Sequence, residues 1–364
     1  MYGLKHLILN LPDETPVIDR PATGRVEEFA MLGIGGGRFV CGTGPFESFE
    51  SPPDDGRIAF YSNDFALSDP NPWKVPEHAE ISALPAELFA LGDVEVVPDW
   101  VAPQPADWQD VFAEVSGRIA SAEINKAVPV VTEVADFPGA MDLGAAVIGR
   151  LLAQPAREHV WGFGFCHENS GFAGLTPERL FTIDGRTLQT MALAGTAAPG
   201  DEGAFEDDPK EREEHALVVE ALQRRLAEFG NVRTGERVVL DLGGMSHFLT
   251  PIEVGLDRDV DEGEIVRALH PTPAIGVQPR DPDKLDWLAG VRDGQQTPPV
   301  FGAPFGVKWD GGVHMVVAIR CVIWEGDRLS LPSGCGVVGA SDQAAEWREL
   351  ALKRSWVKGA LGLG

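Results

Sequence analysis

The chain has 364 residues, of which 44% are hydrophobic and 24% charged. That is enough for one large domain or two ordinary ones, and the balance excludes a disordered, collagenous or coiled-coil protein. Lys and Arg total 30 against 56 Asp and Glu, a formal charge of −26 that repels nucleic acid and anionic membranes at long range.

The N-terminal MYGLKHLILNLPDETP has a short apolar run cut by Asn10 and no small-residue cleavage site, so it does not read as a secretion signal. No apolar run reaches the roughly 18 residues of a membrane-spanning helix, and a cytoplasmic location is expected. Cys41, Cys166, Cys321 and Cys335 form no CxxC pair and have no His at zinc spacing, which predicts buried or idle thiols.

Short strands are predicted at 25–32, 38–42 and 57–62, separated by Pro- and Gly-rich turns such as SPPDDG and SDPNPW. GIGGG at 33–37 mimics a phosphate-binding loop, but Arg38 stands where a final Gly would be and no helix signal follows, so it reads as a turn. PDWVAPQPAD, 98–107, is the linker candidate. Asp107 is placed as cap of a helix carrying Trp108, Val111, Phe112, Val115 and Ile119 at helical spacing.

Strands follow at 127–134, 160–165, 179–183 and 187–193, the last two joined at Asp184-Gly185, a hairpin turn signal. A long helix is predicted over 209–229, with Asp208 as cap, Pro209 at the first helical position and Gly230 just past the end. Strands at 237–242 and 314–324 precede a last helix at 342–361. Strands, helix, strands, helix without strict βαβ alternation predict an α+β class with large antiparallel sheets.

At about 100° per residue, Glu211, Glu214 and His215 share a face with Val218, Leu222 and Phe229. Carboxylates on a core-facing stripe are costly unless a cation or donor meets them. The alternative is a solvated first turn favoured by the helix dipole. The last helix repeats the pattern, with Glu346, Glu349 and Lys353 beside Leu350 and Val357. Four carboxylates without a His-Cys cluster suit a hard cation such as Mg²⁺, while a surface Glu349–Lys353 pair is the plainer reading.

Arg320 sits in HMVVAIRCVIW, apolar on both alternating faces. In strand geometry its guanidinium would be enclosed and need an anion, either a substrate carboxylate or a protein acid. Lys126 opens the buried-looking strand INKAVPVVTEV, where desolvation could turn a lysine into a base. Glu178, in GLTPERLF, has apolar neighbours that could keep it protonated and able to donate. Most lone lysines and turn glutamates are simply solvated. GxSxG, HExxH and GxxxxGK[ST] are absent, which removes the usual support for serine-hydrolase, zincin and P-loop readings.

Taken together these motifs resemble the chorismate-utilising enzymes, the isochorismate, salicylate, anthranilate and aminodeoxychorismate synthases. The resemblance covers roughly residues 120–360, in the family's order. It runs through NKAVPVV at Lys126, GLTPERLF at Glu178, LAGT at 193–196, KEREEH at 210–215 and LHPTPAIGVQPR at 269–280. VAIR ending in Arg320, SGCGVV at 333–338 and SDQAAEWRELALK at 341–353 complete it. The strand after Lys126 departs from the usual KVVLAR-like run by carrying Pro129, Phe301 replaces a common tyrosine, and Cys335 sits inside the glycine loop.

The resemblance implies one chorismate-binding domain over 1–364, with a divergent β-rich part at 1–105 and the motif-bearing part at 106–364. It implies an α/β/β/α fold of two stacked antiparallel sheets flanked by helices. It implies Mg²⁺ held by Glu214 and Glu349, with Glu211 and Glu346 beside it through waters. Arg320, Lys353 and the backbone around Gly334 and Gly336 would receive a substrate carboxylate, with Thr196 and His270 orienting substrate. Lys126 would activate water for attack at C2 of chorismate, and Glu178 would protonate the departing C4 hydroxyl.

The expected activity is therefore isochorismate synthase, an isomerase feeding menaquinone or siderophore biosynthesis. The alternative is a salicylate synthase that goes on to eliminate pyruvate. An ammonia-transferring anthranilate or aminodeoxychorismate synthase is disfavoured, because Ala194 stands where the latter carry a nucleophilic lysine. Chorismate is the expected partner, without nucleic acid, membrane or amidotransferase subunit, the protein being a monomer or weak dimer.

Overall fold

The structure, a computed structural model, describes residues 28–82, 97–154 and 157–364. The N-terminal run read for a secretion signal and the start of the strand expected at 25–32 lie outside the described residues.

Four strands come first, β1 (Phe29–Gly35), β2 (Arg38–Phe49), β3 (Ala59–Ser62) and β4 (Trp73–Ser82), then α1 (Pro105–Ala120). Next are β5 (Lys126–Ala127), β6 (Val130–Asp136), α2 (Ala140–Ala153), β7 (Trp161–His167), β8 (Ser170–Thr176), β9 (Arg179–Asp184) and β10 (Thr187–Ala197). A short α3 (Glu202–Phe205) leads to α4 (Pro209–Leu226), β11 (Gly230–Thr234), β12 (Val238–Asp241), β13 (Ser246–Leu256) and α5 (Glu262–Leu269). The chain ends through β14 (Val277–Gln278), α6 (Pro282–Gly294), β15 (Pro304–Trp309), β16 (Gly312–Val317), β17 (Cys321–Glu325), β18 (Arg328–Gly334) and α7 (Gln343–Leu361).

Sixteen strands join in one hydrogen-bonded sheet, ordered β11-β13-β10-β9-β16-β15-β3-β4-β2-β1-β7-β8-β17-β18-β6 with β12 also on β13; β5 and β14 form a separate pair. The two expected layers are thus two halves of a sheet folded on itself. Phe163 on β7 and Phe172 on β8 pack on Phe305 of β15, at ring distances of 6.0 and 5.4 Å, although β3, β4, β2 and β1 separate them in the sheet order. The first four strands are the bend that joins the halves.

Helices cover both outer faces, α4 on β10 and β13, and α2 and α7 on β8, β17 and β18. The reason is compositional. Val218, Leu222 and Leu226 of α4 join one buried cluster with Leu188 of β10 and Val254 of β13, while Val147, Ile148 and Leu151 of α2 meet Val357 and Leu361 of α7 in a second cluster. The α+β class and the helix–sheet–sheet–helix layering agree with the sequence. No helix among the described residues is long and apolar enough to cross a membrane.

Local signals held where the chemistry was specific. Asp208 accepts from the backbone N–H of Lys210 and Glu211 at the start of α4, and Asp342 from that of Ala345 at the start of α7. Gly36 and Gly37, with φ of 61° and 73°, form the β1–β2 turn, and the four cysteines are buried. Two placements are corrected. Asp107 lies in the first turn of α1 rather than capping it, because Pro105 starts the helix earlier and Gln104 is the cap. The strand expected at 314–324 is two strands, β16 in one half of the sheet and β17 in the other, and the chain crosses between them at Ala318–Arg320. Arg320 takes a φ of 55°, in the left-handed region, to make that crossing.

Candidate active site

A cleft opens where the end of β10, the start of β13, the loop after β18 and the first turns of α4 and α7 meet. Its walls include Glu178, Ala194, Thr196, Glu214, His247, Gly334, Gly336, Glu349 and Lys353. Helical periodicity sends the acids inward: Glu214 is 6% and Glu346 1% exposed.

The acids of the two helices converge on one cation that the motif reading passed over. Lys210 Nζ lies 3.0 Å from Glu211 Oε1, 3.3 Å from Glu214 Oε2 and 3.0 Å from Glu346 Oε1. Burial works against its charge, but the surrounding carboxylates, Glu214 and Glu349 foremost, hold its pKa far above the ordinary lysine value. Glu211 also accepts from the Thr196 backbone N–H at 2.8 Å, and burial raises its pKa to about 7. Glu346 is raised to about 7 by burial and by Glu349, and its Oε2 is buried without a hydrogen-bond partner.

Glu349 pairs with Lys353 at 2.5 Å and accepts from the Thr196 hydroxyl at 2.9 Å. Burial opposes its ionisation, yet Lys353 and Lys210 hold its pKa below the usual range. Lys353 also donates to the Gly334 carbonyl at 2.8 Å, so the surface Glu349–Lys353 pair becomes a link between α7 and the glycine loop.

Lys126 is fully enclosed. Register pairs it with Gln278 of β14, and Ala127 exchanges backbone hydrogen bonds with Val337. Its Nζ stands 2.9 Å from Glu214 Oε1. Burial would raise the Glu214 carboxyl, but Lys126 and Lys210 keep it well below the ordinary range. A Cβ on Gly336 would fall 1.9 Å from Glu214 Oε1 and 2.7 Å from Lys126 Cε, so only glycine fits over this pair.

Glu178 sits at the turn from β8 to β9, 4% exposed, where its backbone carbonyl accepts from Val317 N–H. Desolvation raises its pKa to about 7, although the Thr272 hydroxyl, donating to Oε1 at 2.7 Å, pulls the other way.

Arg320 is 7% exposed and stands behind the lining. Among the described residues no acid pairs with it: its guanidinium faces Met245 Sδ at 2.8 Å and His247 Nε2 at 3.1 Å. His247 must accept there, so its Nδ1–H points at the Gly195 carbonyl, and burial with Arg320 nearby pushes its pKa down to about 3. Of the two partners the sequence left open for Arg320, no protein acid pairs with it among the described residues.

Eleven of the twelve expected site residues meet here. His270 is the exception: its Nε2 is engaged with the Phe65 carbonyl at 2.8 Å, its ring lies edge-on to Phe65, and among the described residues no hydrogen bond or ion pair joins its side chain to the other eleven. Thr272, two residues on, is the part of that motif that reaches the site. Thr272, His247 and Lys210 were missed. Lys210 was inside a quoted motif, and its signal was a lysine next to Glu211 and one turn before Glu214, at i, i+4.

The donor set fits a divalent cation in composition. Two helices deliver four carboxylates to one buried place, Glu346 Oε2 has a free lone pair there, and the glycine at 336 leaves room that a side chain would fill. Among the described residues no three ligands are drawn to metal-binding spacing, since the Lys210 ammonium lies between them.

Residues 90–362 match the chorismate binding enzyme family, and the chain belongs to it. It is 37% identical over 210 residues to the salicylate biosynthesis isochorismate synthase of Pseudomonas aeruginosa, covering 53% of this chain and 42% of that protein. It is 25% identical over 319 residues to the isochorismate synthase EntC of Escherichia coli K12, covering 82% and 78%. The chain thus spans under half the length of the first relative and most of the second. The solved structure of MenF, the menaquinone-specific isochorismate synthase of Escherichia coli, superposes with a TM-score of 0.72 at 21% identity over 93% of this chain and 90% of that one, a likeness of fold.

Proposed function

We propose that the protein is an isochorismate synthase, isomerising chorismate by water attack at C2 with loss of the C4 hydroxyl. The observation that carries the reading is Glu178. It is a carboxyl in the cleft wall whose proton burial retains near neutrality, the state a general acid needs to protonate a departing hydroxyl.

Lys126, next to Glu214, is the group assigned to take the proton from water. Arg320, with no acid of its own, and Lys353 are assigned to the substrate carboxylate, in keeping with the pairing a buried guanidinium requires. Thr196, tied to both Glu211 and Glu349, fixes the distance between the helices that deliver the acids. Ala194 in the wall leaves no lysine there to act as a nucleophile, which favours water over an amine.

In this reading Glu214 and Glu349, with Glu211 and Glu346, hold Mg²⁺, which when bound supplies positive charge against a carboxylate of the substrate. A menaquinone or siderophore role is part of this reading; among the relatives, one is named for salicylate biosynthesis and one as menaquinone-specific. Purified protein given chorismate and Mg²⁺ should form isochorismate, resolved by chromatography. Salicylate with pyruvate would move the assignment to a salicylate synthase, and an aminated product requiring ammonia would overturn it.

A further inference from the structure

We propose that Lys210 is a built-in counterion: it fills the cation position among Glu211, Glu214 and Glu346 in the metal-free protein and has to withdraw before a divalent ion can bind there. The inference rests on the Mg²⁺ assignment above and adds a competitor within the chain.

The geometry carries it. One ammonium nitrogen is within 3.3 Å of three carboxylates that come from two helices far apart in sequence. Mg²⁺ holds its oxygen ligands at about 2.0–2.1 Å, so an ion and an ammonium cannot share that point. Without Lys210, Glu214 keeps Lys126 and Glu349 keeps Lys353, but Glu211 and Glu346 lose the ion pair they have among the described residues, and a buried uncompensated charge is severely destabilising.

Lys210 therefore lets the empty site fold, and it does so at the expense of metal affinity, because only the fraction of molecules with the ammonium withdrawn can take the ion. A way out exists. Lys210 is in the first turn of α4, where Pro209, Arg212 and Glu213 are exposed, and a four-carbon stem can carry its charge to that surface.

The test is calorimetric titration of the full chain with MgCl₂ alone. Lys210→Met should bind Mg²⁺ roughly tenfold tighter or more than the wild type. Its melting temperature in EDTA should fall below that of the wild type, the gap closing in saturating Mg²⁺. Equal or weaker Mg²⁺ binding by Lys210→Met, with the wild type binding normally, would overturn the inference and leave the metal assignment standing. Absence of Mg²⁺ binding by both proteins would overturn the inference and the metal assignment together.

Should the variant not fold, the wild type answers by amine labelling read by mass spectrometry. Lys210 should be protected in EDTA and labelled in Mg²⁺. Protection unchanged by the metal would contradict the withdrawal.

Discussion

Lys126 Nζ stands 2.9 Å from Glu214 Oε1, with both side chains almost wholly enclosed, so that the proposed proton acceptor and an acid of the helix cluster form one unit. Lys126→Ala should lower kcat by about 10²–10⁴, the range of a lost general base. Glu214 retains Lys210, so the loss of stability should stay below the roughly 3–5 kcal/mol of a stranded buried charge. Turnover of chorismate and chemical denaturation of the same variant measure the two effects. A stable variant with full turnover would remove Lys126 from the mechanism.

The rate should fall on the alkaline side with a midpoint near 7, where Glu178 loses the proton it donates. The Thr272 hydroxyl bonds the charged carboxylate, so Thr272→Val should move that midpoint upward. The same shift has a stability sign. The folded carboxyl keeps a proton that the unfolded one releases, so its contribution to stability declines as pH rises from the ordinary carboxyl range to about 7. Glu178→Gln should therefore be inactive and, above that pH, more stable than the wild type by urea unfolding. A limb unmoved by Thr272→Val would assign it to another group.

Arg320 combines burial, a left-handed backbone and no acidic partner among the described residues, the profile of a group kept for a ligand. Arg320→Gln should raise KM by about 10–100-fold, the loss of one or two charged hydrogen bonds, without lowering the denaturation midpoint. A variant with unchanged KM and a marked loss of stability would make the guanidinium structural.

Gly336 tests the close packing over the acid–base pair. A single methyl there meets Glu214 Oε1 at 1.9 Å, so Gly336→Ala should displace the Lys126–Glu214 pair and cut turnover by at least about 10² while the far-UV spectrum is kept. Normal kinetics would show that the loop moves freely.

Much of this was legible because it is local. The caps Asp208 and Asp342, the Asp184-Gly185 hairpin and the inward acids of α4 and α7 follow from periodicity and from side-chain bonds a few residues long. What was not legible depends on contacts between remote segments. α2 carries no strong start signal, with Gly139 before it; α6 opens on Asp281-Pro282, the same kind of signal as Asp208-Pro209, and went unread. The break at Ala318–Arg320 is invisible in an apolar run, since only the placement of β16 and β17 in different halves of the sheet demands it. His270 was assigned to the cleft by its motif, and it is the Phe65 carbonyl, some two hundred residues away, that turns it elsewhere. Lys210 was overlooked because its charge balances acids that only the fold brings together.

The central claim is that water, and no other nucleophile, adds to C2 in the cleft between Lys126 and Glu178. Turnover of chorismate in ¹⁸O-labelled water, with the product resolved by mass spectrometry, reads this directly. The account predicts isochorismate carrying the heavy oxygen at C2 and none elsewhere. Isochorismate formed without label would contradict it.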